Sequence, residues 1–556
     1  MAKIAYAQIE IVAGQPEVNA EKILKFIAQA KEQKVELIVF PELALSGKFV
    51  GNAFWQKSFL SDCEYFGKKI IAASDEITII FGNLVGAENR EIDPSSYFVA
   101  YGGEVRLQGS TKDLIEMEFN DEGRTREIAF QIDSAPFRIG DRAERDKFFS
   151  DQSKDLHRPL IYVNAIGIQN RGKTIYTFDG TSTVYNSRGE IVQCAESFKE
   201  GLNIIELEEI DRLPEQKNSQ QLGIAEIYSA ISYGAEKFLQ QIGMKKVVIG
   251  ISGGIDSAVS AALYTKILGA ENVFLVNMPS VFNSATTKNL SEQLAKNLGC
   301  HYAVIPIQES VDFTVKQLES TQIKFLSKNK TEHLKISSFV KENIQARDRS
   351  SRILAAVSAA VGGGFTCNAN KAETTVGYAT LYGDEAGFLC ALADLWKFQI
   401  YQLADYLNDA VYQREVIPQG IIEIVPSAEL SDAQNVDEGK GDPLKYPYHD
   451  FLFRAFVEGN FSPEDVLKLY SEKILESVIG CAPNLVEKYF PTAKDFIEDL
   501  ERWWKLFTGF AVAKRIQSPP LISVSRRAFG SDFAESQNIP LFTQGYKELK
   551  SKLLEK

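Results

Sequence analysis

The string GISGGIDSA, residues 250–258, lies between an apolar run, KKVVIGI, and a helix-like run, DSAVSAALYTKILG. Gly253 and Gly254 let a backbone close around an anion without Cβ contacts. A helix starting there presents unpaired N–H groups and its positive dipole end. Gly250 ends the strand, Ser252 and Ser257 add hydroxyl donors, and Asp256 is a carboxylate suited to a magnesium ion between phosphates. The string has no GKS or GKT and is not GxGxxG. A plain strand–turn–helix junction accounts for one or two glycines, but not for SGGxDS as a whole. The chemistry it points to is phosphate binding. A second string, FPELALSG at residues 40–47, ends an apolar run with Glu42. A carboxylate delivered at the end of a buried strand is suited to general-base work, which needs a nucleophile to activate.

The elements around these strings alternate. KIAYAQIEIVA, VELIVF and DEITIIFGNLVG read as strands, and NAEKILKFIAQAKEQ as a helix with Ile23, Ile27 and Ala30 on one stripe and Asn19 as its cap. SSYFVAYGGEVRLQG reads as a hairpin turning at Gly102 and Gly103. The polar stretch DRLPEQKNSQQLG, residues 211–223, reads as a linker. It divides a first domain, 1–210, from a second, 224–556. The second begins with a helix, then KKVVIGI, the glycine loop, a helix with Val259, Leu263 and Ile267 on one face, and the strand ENVFLVNMP. That order predicts a parallel sheet. The last third is more helical and contains an irregular stretch, DEGKGDPLKYPYHD (437–450), too rich in Gly, Pro and charge for a core.

A chain of 556 residues exceeds one core. The net charge of -13 argues against broad nucleic-acid or anionic-membrane binding. Cys63, Cys194, Cys300, Cys367, Cys390 and Cys481 form no CxxC pair, and His157, His301, His333 and His449 are scattered, so neither a disulfide framework nor a zinc site is indicated. No run approaches the roughly 18 apolar residues of a membrane span, and the amino terminus does not read as a signal peptide. A cytoplasmic protein is the expectation.

SGGIDS resembles the pyrophosphate loop of the ATP-pyrophosphatase enzymes. Four further strings resemble the NAD synthetase family in particular: ENIQARDR (342–349), NKAETTVGYATLYGDEAG (370–387), PSAEL (426–430) and KRIQSPP (514–520) with SRRAFG after it. The resemblance covers residues 220–530 and implies a Rossmann-like parallel-sheet domain. Ser252, Gly253, Gly254 and Ser257 would cradle ATP phosphates, with Gly250 and Asn368 beside them. Asp256 and Glu373 would hold Mg2+. Asn343, Arg347, Lys371 and Lys514 would contact deamido-NAD, and Lys397 would contact ATP phosphate. Two polyanions side by side need such cations and metal. The chain departs from the family at Asn368-Ala369, where Thr-Gly is usual, and at Phe398, where Thr is usual. The family's synthetase domains pair as dimers within larger homo-oligomers.

Glutamine-dependent members carry an amidase of the nitrilase (carbon–nitrogen hydrolase) family, an αββα sandwich with a Glu–Lys–Cys triad. FPELALSG resembles its Glu motif, STKDLIEMEFNDEGR (110–124) its Lys motif, and SAPFRIGDRAERDKFF (134–149) a later segment. The resemblance makes Glu42 the base and Lys112 the oxyanion-stabilising lysine. The family's CEDxW elbow has no counterpart, and no cysteine occurs between Cys63 and Cys194. Where the family has the lysine of SPFxxGK this chain has Asp141, a negative charge expected in the pocket. Glu42 and Lys112 are then expected as a remnant ion pair of a shortened, inactive domain whose sheet has an opened edge.

The expected activity is ATP-dependent amidation of deamido-NAD to NAD through an adenylated carboxylate, with ammonia as nitrogen donor. Three alternatives stand: a working glutamine-dependent enzyme using Cys63 or Cys194, an ATP-pyrophosphatase with another acid substrate, and a non-enzymatic nucleotide-binding paralogue.

Overall fold

Alternation sets the first architecture. In the strand Lys3–Gln8, Ile4 and Tyr6 join one buried cluster while Ala5 and Ala7 join another, as a period of two requires. The first cluster pairs Ile4, Tyr6, Leu37, Val39 and Ile80 with Ile128, Phe130, Ile132, Ile161, Val163 and Val184, the inner faces of two sheets. The second packs Ile38, Ile79 and Phe81 against Ile23 and Ile27 of helix Pro16–Glu32 and Ile70 of helix Lys57–Ala72. On the far sheet, Tyr162 and Tyr185 pack on Phe149 of helix Asp141–Leu156. The layers are therefore αββα.

The computed structural model describes residues 2–86, 92–121, 124–216, 223–536 and 539–555. It divides into two units, Met1–Lys237 and Phe238–Lys556. The six-stranded sheet of the first unit runs Gly201–Glu206, Lys3–Gln8, Leu37–Val39, Thr78–Gly86, Ile92–Tyr101, Glu104–Ser110. The five-stranded sheet runs Ile191–Cys194, Thr183–Tyr185, Leu160–Asn164, Arg124–Asp133, Ile115–Asp121. The expected hairpin is present, with Tyr101 opposite Glu104 and positive φ at Gly102 and Gly103. The ladder corrects one expectation. Arg124–Asp133 pairs with Ile115–Asp121 on one side and in parallel with Leu160–Asn164 on the other, so no edge opens where the elbow is lacking.

Residues 217–222 of the expected linker lie outside the described residues. The second domain was expected from residue 224, yet most of helix Ile224–Gln241 belongs to the first unit. Lys237 pairs with Glu10 at 2.9 Å and the Tyr233 ring lies 4.8 Å from that of Phe198.

In the second unit a four-stranded sheet runs His301–Val304, Val273–Asn277, Val247–Gly250, Gly364–Phe365, its strands all parallel. Helix Ile255–Leu268 is buried over most of its circumference rather than on one face, because helix Lys397–Tyr406 covers it as well as the sheet. Beyond lies a helical cluster around Trp503, including helices Tyr446–Val457 and Ala493–Thr508. The stretch 437–450 departs from its expected irregular character at Tyr446. Pro447 fits a helix's first turn, and Tyr448, His449 and Asp450 are buried to 0%, 0% and 1% exposure. The imidazole and one carboxylate oxygen find partners: His449 Nε2 meets Asp499 at 2.9 Å, and Asp450 Oδ2 accepts the Phe398 amide. Among the described residues no helix is long and apolar enough to cross a membrane.

Candidate active site

The strand Val247–Gly250 ends in a loop that only glycine permits. Gly253 has φ +86°, and a Cβ there would press into the Thr287 carbonyl. Gly254 is the N-cap of helix Ile255–Leu268. The loop is braced from within: Ser257 Oγ donates to the Gly254 carbonyl at 3.0 Å, and the Gly254 amide donates to Ser252 Oγ at 3.2 Å. These residues line a cavity of ≈ 840 Å³.

Gly250, Asp256, Asn343, Arg347, Asn368, Glu373, Lys397 and Lys514 line the same cavity. Its charged centre is built by three elements. Asn370 caps helix Lys371–Val376 and is closed by Glu373 in a capping box, which fixes where that carboxylate points. Asn370 Nδ2 also donates to Asp256 Oδ1 at 3.1 Å. Lys397, in the first turn of its helix, pairs with Asp256 Oδ2 and stands 3.9 Å from Glu373 Oε1, which also accepts the Tyr446 hydroxyl at 3.1 Å. Burial, then the Asp256 charge, pushes Glu373 up to about 8. Burial opposes the Lys397 charge, but Asp256 and Glu373 hold it above the usual lysine range.

Two carboxylates crowded in this way suit a hard cation. Among the described residues no group of three or more His, Cys, Asp or Glu is placed to hold a metal ion. Asp256 and Glu373 are the residues that would hold a magnesium ion here.

Asn368 Nδ2 donates to the Gly250 carbonyl at 3.3 Å, tying the loop to the strand beside it. Lys514 Nζ donates to the Gly377 and Ala379 carbonyls. Lys371 departs from its expected place. It lines no part of the cavity, is fully buried, and pairs with Asp394 at 2.8 Å and Glu458 at 3.1 Å. Its partners lie far along the chain, so the NKAE string alone does not reveal them. Phe398 also turns from the cavity and stacks on Phe451.

The cavity also includes Gln434, which follows the PSAEL string, and residues outside the expected set: Arg349, Tyr378, Asp384, Asp442 and Trp503. Arg349 lies in the π-helical turn Asp348–Leu354 and donates to the Met278 carbonyl and Asn283. Burial lowers it to about 10. Its place two residues after Arg347 is a signal that the ENIQARDR string did carry.

In the first unit, Glu42, Lys48, Thr111, Lys112, Gln131 and Asp133 line a cavity of ≈ 490 Å³. Glu42 accepts the Thr111 hydroxyl at 2.7 Å. The cation within 4 Å of it is Lys48, at 3.9 Å, and not Lys112, which is exposed at the cavity's wall; the expected Glu42–Lys112 pair is corrected accordingly. Asp141 does not line the cavity but opens helix Asp141–Leu156; the added carboxylate is Asp133, at the end of its strand. Among the described residues no cysteine lines it. Cys63 is buried within its helix and pushed up to about 12 by burial, and Cys194 accepts from Arg142 at 3.3 Å.

The NAD synthase family model matches residues 227–483, and the carbon-nitrogen hydrolase model matches residues 3–92. Residues 227–483 thus carry a domain of the NAD synthase family. Members are ATP-dependent amidating ligases, and the first unit is a nitrilase-like domain fused to that ligase. A glutamine-dependent NAD(+) synthetase of Xylella fastidiosa is 27% identical over 576 aligned residues, covering 95% of this chain and 97% of the relative. Two solved structures share the fold. One, a glutamine-dependent NAD+ synthetase of Acinetobacter baumannii in complex with ADP, has a TM-score of 0.66 at 24% identity, covering 96% of this chain and 98% of that one. The other, a glutamine-dependent NAD(+) synthetase of Cytophaga hutchinsonii, has a TM-score of 0.76 at 16% identity, covering 99% of each.

Proposed function

We propose that this protein amidates deamido-NAD with ATP and ammonia, and that its first unit does not hydrolyse glutamine. The observation that carries the synthetase reading is the convergence of the glycine loop, Asp256, Glu373 and Lys397 on one cavity. A carboxylate oxygen of the nicotinate ring attacks the α-phosphorus of ATP, and the bond to the β-phosphate bridge breaks, releasing pyrophosphate. Ammonia then attacks the acyl adenylate; the C–O bond breaks, AMP leaves, and the nitrogen loses a proton.

Ser252, the loop amides and the helix N-terminus cradle the phosphates. Lys397 balances charge on the departing pyrophosphate. Bound Mg2+ supplies further neutralisation of the phosphates. Asn343, Arg347 and Lys514 hold the dinucleotide beside ATP. The domain reading assigns this chemistry to 224–556 and a non-catalytic role to 1–210, in a cytoplasmic homo-oligomer that includes a synthetase-domain dimer.

The absence of a thiol from the Glu42 cavity supports ammonia as the donor, because a thiol-dependent amidase forms its acyl-enzyme on sulfur. The relatives' names favour the second reading, glutamine dependence. The full-length protein with deamido-NAD, ATP and Mg2+ is given ammonium or glutamine, and NAD is measured. Activity with ammonium alone is expected. Equal activity with glutamine overturns the silent first unit, and no NAD from either donor overturns the synthetase reading.

A further inference from the structure

The helix that carries Lys397 caps itself only in part: Gln399 Oε1 accepts the Trp396 amide at 2.9 Å, and the amides of its first turn need acceptors from elsewhere. Helix Lys397–Tyr406 starts after Trp396, whose indole Nε1 donates to Glu458 at 2.9 Å and offers no acceptor to the first amides. The Phe398 amide is instead satisfied by Asp450 Oδ2, at 2.8 Å, from helix Tyr446–Val457. Asp450 is 1% exposed. A carboxylate there also meets the positive end of the helix dipole. The next residue, Phe451, stacks on the Phe398 ring at 5.3 Å between centroids and 11° between planes. The same helix carries Tyr446, whose hydroxyl donates to Glu373 and whose ring lies 4.8 Å from Lys397 Nζ.

We infer that Asp450 is a positioning residue for Lys397, fixing the first turn of its helix and so the point at which the ammonium meets ATP phosphate. The inference rests on the reading of this cavity as the ATP site. Phe398 and Phe451 act as the second point of the clamp. A clamp at residue 398 made of a backbone amide and a ring needs no side-chain hydroxyl there, which accounts for the tolerance of Phe398.

The test compares full-length wild type with Asp450→Ala, Asp450→Asn and Phe451→Leu. Ammonium-driven NAD formation is followed with ATP and deamido-NAD titrated separately, and MgATP affinity is measured by calorimetry. Asp450→Ala is expected to raise KM for ATP by about tenfold, well above any change for deamido-NAD, since small misplacements of a substrate-binding group are costly. Asp450→Asn is expected to recover most of this, because its amide oxygen accepts the Phe398 N–H in the same place. Phe451→Leu is expected to shift KM for ATP in the same direction by less. Unchanged KM for ATP in Asp450→Ala, or equal impairment for both substrates without rescue by Asn, overturns the inference. Should Asp450→Ala fail to fold, an ATP-specific defect in Phe451→Leu with near-normal Asp450→Asn supports it, and normal ATP kinetics in Phe451→Leu overturns it. Failure of the underlying reading is distinct: wild type itself then neither binds MgATP nor makes NAD.

Discussion

Gly253 holds a conformation that an L side chain rarely adopts, and its missing Cβ leaves room for the Thr287 carbonyl. Gly253→Ala therefore introduces strain of about 1–3 kcal/mol and displaces the loop amides that face phosphate. Ammonium-driven NAD formation is expected to fall by about tenfold or more, read as a rise in KM for ATP. Glu42 yields a different kind of prediction. Burial pushes its carboxyl above the ordinary 4.5, against the lowering effects of Lys48 and the Thr111 hydrogen bond. The folded protein thus holds this proton more tightly than the unfolded chain. The associated stability is complete below pH 4.5 and is lost as pH rises through the folded-state value. Glu42→Gln removes that loss, so its Tm is expected to fall less than that of wild type as pH is raised toward neutrality. Parallel Tm–pH curves contradict this. NAD formation with ammonium is expected to be unaffected.

At the scale of elements, short helices aim the carboxylates. Helix Lys371–Val376 has only six residues, too few to be stable alone, and its capping box fixes its start. Asn370→Ala removes the cap and the hydrogen bond to Asp256 together. A cost of about 1 kcal/mol is expected from the cap alone, measured by denaturant unfolding. Activity is expected to fall further than stability, because Glu373 and Asp256 both lose their alignment. A loss of activity no larger than the change in folded fraction contradicts this.

The whole molecule contains two units with separate buried clusters, one between and around the sandwich sheets and others around the parallel sheet and Trp503. Calorimetric unfolding is expected to show two transitions. MgATP is expected to raise one of them and leave the other in place, since ligand binding stabilises only what it binds. A single transition that moves as a whole contradicts the expectation.

The chemistry legible in the sequence is the chemistry written in contiguous residues. SGGIDS names its own task because phosphate binding needs a loop, a helix start and nearby hydroxyls, all local. Strand alternation gave the sandwich, and strand–helix–strand order gave the parallel sheet, because burial on one or two faces leaves a period in the chain. Partners joined across long separations left no such mark. Lys371 reads as a substrate contact until Asp394 and Glu458 enclose it, and Glu42 faces Lys48 rather than Lys112. Asp450, in a stretch too polar to pass for core, became the buried cap of another helix. Residue types and local spacing determined which chemistry this protein carries. Only the tertiary structure decided which charges are spent on one another and which remain to meet a substrate, because that depends on burial and on neighbours the chain brings together from far apart.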